Sequence, residues 1–163
     1  MDVMDEALLQ FWQKLNDNGV KYIMVGGLAT RFHGYNRATD DLDMWIEDTL
    51  ENRKKLRKAF AELNYGDYES IETMQFVPGW TSFYAAGIVL DIMTEMKGLE
   101  DLSFDECYKM SNFSKVEKVS IPFLHINHLI ANKKAVNRPK DQLDVIYLEK
   151  IKELLKNNDS SKP

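Results

Sequence analysis

The chain has 163 residues, 44% hydrophobic and 29% charged, with a formal net charge of -5. That is the make-up of one soluble globular domain with enough apolar residues for a core. A lone Cys107 excludes an internal disulfide, no apolar run approaches the length of a membrane span, and the acidic balance argues against a general nucleic-acid coat. The opening residues carry acids where a leader would carry bases, so the expected location is cytoplasmic.

From Glu6 to Asn18 the apolar residues Leu8, Leu9, Trp12 and Leu15 recur at helical spacing before Gly19, which predicts an amphipathic first helix. Lys21 to Val25 reads as a short strand ending at Gly26-Gly27, followed by a short helix from Leu28 to His33. Asp41 to Ile46 is the second strand. Strand neighbours point to opposite faces, so Asp41 and Asp43 share one face while Leu42 and Met44 take the other, with Asp40 off that pair. Two carboxylates on one face repel each other unless a cation lies between them, and all-oxygen ligands favour magnesium or manganese. Taken alone, the pair also fits a solvated strand end or a structural cation site.

Asp48 or Thr49 is placed to cap a helix running to about Leu63. Strands are expected around Ile71 to Val77, Trp80 to Tyr84 and Ile88 to Met93, separated by Pro78-Gly79 and by Ala85-Ala86-Gly87. Ser103 to Glu106 has capping-box spacing. Lys115 to Ile121 predicts a strand ended by Pro122, and Asn127 a cap for a helix from His128 to Val136. Pro139 opens a last helix reaching about Leu155. The expected organisation is a single domain over residues 1–155 with a frayed polar tail over 156–163.

A strand that delivers Gly26-Gly27 to a helix start offers backbone N–H groups to an anion. A third acid, Asp91, lies in the apolar run Ile-Val-Leu-Asp-Ile-Met, where a charge is costly unless a cation or a buried arginine pairs with it. If these strands are neighbours, three carboxylates meet beside a phosphate-binding turn, as metal-assisted phosphoryl or nucleotidyl transfer requires.

The glycine pair followed by Asp-Leu-Asp-Met resembles the signature of the DNA polymerase β-type nucleotidyltransferase superfamily. The longer string Arg37-Ala-Thr39-Asp-Asp41-Leu-Asp43 is similar to its small prokaryotic branch related to the AbiEii toxins. So is Leu129-Ile-Ala-Asn-Lys133 through Arg138-Pro-Lys-Asp141-Gln-Leu-Asp144. The resemblance covers roughly residues 20 to 150. It implies an α/β (α+β) nucleotidyltransferase fold, a short mixed sheet with helices mainly on one side. It also implies transfer of a nucleoside monophosphate from a nucleoside triphosphate to a hydroxyl of RNA, protein or a small molecule, with release of pyrophosphate.

By that resemblance Asp41, Asp43 and Asp91 hold two magnesium or manganese ions. Gly26, Gly27, Thr30, Arg37, Thr39, Lys133 and Arg138 contact the nucleotide, and Asp141 is a further site acid, a base for the acceptor. Asp144 is read as structural, anchoring Arg138 or a helix start, and His125 and His128 as capping and packing residues. The serine that many relatives carry after the first glycine is Gly27 here. The rival reading is a non-catalytic nucleotide-binding module, the antitoxin-like partner in a two-gene system.

Overall fold

Six strands form one mixed sheet, and its order puts the acid-bearing strands side by side. The structure, a computed structural model, describes residues 1–161. Along the chain come α1 (Glu6–Asp17), β1 (Tyr22–Met24), α2 (Gly26–Phe32), β2 (Asp41–Ile46), α3 (Leu50–Glu62), β3 (Ser82–Ala85) and β4 (Ile88–Met93). Then follow α4 (Phe104–Met110), β5 (Asn112–Val116), β6 (Val119–Phe123), α5 (Ile126–Val136) and α6 (Pro139–Ser160). The strand order is β3-β4-β2-β1-β6-β5. β2 runs antiparallel to β1 and parallel to β4, in a register that sets Asp43 opposite Asp91 and Asp41 opposite Val89.

The helices begin where local chemistry dictates. Asp5 accepts from the N–H groups of Ala7 and Leu8 to open α1, and the Thr49 hydroxyl accepts from Asn52 to open α3. Ser103 and Glu106 form the expected capping box at α4. α1 buries Leu8, Phe11, Trp12 and Leu15 against α3 and β6. Each such side chain contributes about 1.5–3 kcal/mol on burial, which anchors the end of the sheet remote from β3.

Four sequence expectations change. The segment Ile71 to Val77 is not a strand: Glu69–Glu72 is a 3-10 turn, and the Arg53 guanidinium takes the Ile71 and Met74 carbonyls at 3.1 and 2.6 Å. Carbonyls held by a side chain are lost to a sheet ladder. The region around Lys115 to Ile121 is a hairpin, β5 to β6, and Pro122 sits inside β6 opposite Phe113; a proline removes one amide donor, and the strand tolerates that single loss. The cap of α5 is His125, whose Nδ1 accepts from Asn127 N–H, so the helix begins two residues before His128. α6 also continues through Lys156 to Ser160, where a frayed tail was expected, while Lys162 and Pro163 lie outside the described residues.

Candidate functional site

Alternation along β2 buries Leu42 and Met44 and leaves Asp41 and Asp43 on the other face. The parallel neighbour β4 carries Asp91 directly beside Asp43. Gly26, at the start of α2, has φ +62, and a β-carbon there would collide with the Asp43 carboxylate. The missing side chain is thus what lets Asp43 lie against the turn. Gly27 has an ordinary backbone but is also crowded, since a β-carbon would meet the Thr39 hydroxyl and the Arg37 guanidinium.

Gly26, Asp41, Asp43, Gly79, Asp91 and Arg138 line one cleft of about 310 Å³. Burial first, then repulsion from Asp41 and Asp91, pushes the Asp43 carboxyl up to about 6. Burial also raises Asp91, partly offset by the Gly79 N–H that donates to its Oδ2 at 2.6 Å. Asp91 Oδ1 is buried without a hydrogen-bond partner. Asp41 Oδ1 accepts from the Thr39 hydroxyl at 3.2 Å.

Among the described residues, no three His, Cys, Asp or Glu side chains are drawn into a cage that would hold an ion unaided. The structure brings the three carboxylates to one cleft without closing them on a point. Asp41 and Asp91 each accept from a neighbouring donor, the Thr39 hydroxyl and the Gly79 N–H. The donor set nevertheless fits a hard divalent cation: the ligands are all oxygen, one buried oxygen is orphaned, and burial and two neighbouring carboxylates hold Asp43 above its ordinary range.

The C-terminal pattern takes a different arrangement from the one expected. Lys133 is 3% exposed, its Nζ 2.6 Å from Asp144 Oδ2 and 3.6 Å from Asp141 Oδ1, so it is a buried structural cation and not a free hand for phosphate. Asp141 caps α6 by accepting from Arg138 N–H at 3.1 Å and binds the Arg138 guanidinium at 2.6 and 3.2 Å. Burial would raise its carboxyl, but these hydrogen bonds more than offset that and leave it below its ordinary value, which is wrong for a base.

Asp144 holds Lys133 and lies 2.9 Å from Arg37 Nε, in an ionic contact whose N–H points off line. Arg37 therefore braces the segment before β2, and it is Asp141, not Asp144, that anchors Arg138. Thr30 is buried and donates its hydroxyl to the Gly26 carbonyl, out of reach of a nucleotide. Thr39 is likewise buried and serves Asp41. Gly79 escapes a sequence reading because its contact with Asp91 exists only once β3 folds back on β4.

A mixed six-stranded sheet with neighbouring acidic strands beside a glycine turn is the nucleotidyltransferase fold. No protein-family model and no curated protein matches the chain. Among solved structures, the chain is similar to a Thermotoga maritima protein provisionally described as a nucleotidyltransferase, with TM-score 0.55 and 19% identity over 94% of this chain and 91% of that one. It is also similar to the antibiotic-resistance factor ANT(2'')-Ia. Its solution structure gives TM-score 0.57 and 16% identity over 98% of this chain and 94% of that one. Its crystal structure with adenylyl-2''-tobramycin gives TM-score 0.55 and 16% identity over 93% and 94%.

Proposed function

We propose that this protein is a metal-dependent nucleotidyltransferase that moves a nucleoside monophosphate from a nucleoside triphosphate to a hydroxyl acceptor. The observation that carries the reading is the register of β2 and β4, which sets Asp43 beside Asp91 in the cleft that Gly26 borders, with Asp91 Oδ1 buried and unpartnered. The adenylylated sugar antibiotic bound by ANT(2'')-Ia supports nucleotide transfer to a hydroxyl as the chemistry of this fold. On the strings around Asp41 and Asp141 we assign the chain to the small prokaryotic branch related to AbiEii.

In this reading the acceptor oxygen bonds to the α-phosphorus, the bond from that phosphorus to the β-bridging oxygen breaks, and pyrophosphate leaves. The acceptor proton passes to a carboxylate of the cleft. Asp41, Asp43 and Asp91 would hold magnesium, which would supply Lewis-acid polarisation of the phosphate and screening of the leaving charge. The chain's own task is to position: Gly26 lets Asp43 lie against the turn, and Gly79 fixes Asp91 by one oxygen.

Incubation with each labelled triphosphate, magnesium and a panel of RNA, protein and sugar acceptors should give a nucleotide adduct that Asp43→Asn abolishes. Magnesium-dependent triphosphate binding without an adduct on any acceptor would favour a binding module instead. Absence of binding would end the proposal.

A further inference from the structure

The corrected geometry leaves the triphosphate of the proposed reaction without its expected cation. Lys133 is locked between Asp144 and Asp141, and withdrawing it would leave buried Asp144 with only the off-line Arg37 contact. Arg37 is turned to Asp144 and to the Ala38 carbonyl. Arg138 reaches the cleft, but its Nε and Nη2 are held by Asp141.

Lys140 differs from all three. It lies exposed in the first turn of α6 and makes no ion pair among the described residues. With Arg37, Thr39 and Asp41 it lines a groove of about 440 Å³ that adjoins the acidic cleft at Asp41. A flexible ammonium with three donors suits a phosphate tail whose charge grows as pyrophosphate departs.

We infer that Lys140 is the phosphate-binding residue of this site, contacting the β- and γ-phosphates of the nucleoside triphosphate from the groove beside Asp41. The inference rests on the nucleotidyltransferase reading and goes beyond it by replacing Lys133 in that role. The pairing of a surface lysine with the tail, and not with the α-phosphate or nucleoside, makes its effect depend on phosphate number.

Calorimetric titration tests this with the four α,β-methylene nucleoside triphosphates and the matching monophosphates, each with magnesium. Compared are the wild-type protein, Lys140→Ala and Lys140→Arg, with circular dichroism as the check on folding. For the triphosphate that the wild type binds, Lys140→Ala should weaken binding about tenfold or more. It should leave monophosphate binding unchanged, and Lys140→Arg should restore most of the loss. Equal losses for both ligands, or no loss, would overturn the assignment of Lys140 while leaving the nucleotidyltransferase reading intact. A wild-type protein that binds no triphosphate would overturn both.

Discussion

Whether Asp43 can occupy its place depends on one absent methyl group. At Gly26 an added β-carbon would need the left-handed backbone at φ +62 and would also strike the carboxylate of Asp43. The first cost alone is about 1–2 kcal/mol for a residue with a side chain. Gly19 provides the comparison, since it has φ +65 and open space around it. Gly26→Ala should therefore lower thermal stability more than Gly19→Ala does, and only Gly26→Ala should weaken magnesium-dependent nucleotide binding. Melting curves and calorimetry on the two variants measure the difference, and equal behaviour would show that the carboxylate does not rely on the glycine. Much of this was legible in the sequence: alternation assigns Asp41 and Asp43 to one face, and a glycine pair after an apolar strand marks a tight turn. That Gly26 yields to the carboxylate itself was not legible, because the contact joins β2 to a turn across the β1 pairing.

Pairing between elements explains where the sequence reading of the C-terminal segment went astray. The pattern shows which residues are charged; the packing of α5 against α6 decides which of them meet. That packing buries Lys133 eleven positions before Asp144, and Arg37 joins the same carboxylate from the segment ahead of β2. Three stretches of chain are thereby tied together through Asp144. Nothing in the spacing of Lys133, Arg138, Asp141 and Asp144 separates this arrangement from one in which Lys133 faces a ligand. The same limit applies to Ile71 to Val77, whose β-prone residues surrender two carbonyls to Arg53 from another helix. Lys133→Met should cost about 3 kcal/mol, because it takes from buried Asp144 its one hydrogen-bonded cation and leaves it only the off-line Arg37 contact, while Asp141 keeps Arg138. Adding Asp144→Leu should recover part of that loss. Denaturant unfolding of the single and double variants tests this, and a single variant as stable as the wild type would mean that Lys133 is not a structural cation.

For the whole molecule, two groups of side chains give stability opposite dependences on pH. Asp43 is pushed up to about 6 from an ordinary 3.8, so the folded protein bears an ionised, repelled carboxylate above pH 6 and sheds that penalty as pH falls from about 6 toward 3.8. A shift of this size corresponds to roughly 2–3 kcal/mol at neutral pH. His33, His125 and His128 are all lowered, chiefly by burial. Their stabilising effect is complete above the ordinary histidine value of 6.5 and is lost as pH falls through their lower folded-state values. In the wild type the two trends oppose each other in mildly acidic solution. Asp43→Asn separates them: without metal it should melt higher than the wild type at pH 8, and its melting temperature should fall steadily below pH 6.5. On the proposed function magnesium would bind the ionised carboxylates, so it should raise the melting temperature of the wild type at pH 8, lose that effect by pH 5 as protons compete, and leave Asp43→Asn unmoved. Thermal melts over this pH range with and without magnesium provide the measurement. A magnesium response that persists at pH 5, or in Asp43→Asn, would locate the cation away from these strands.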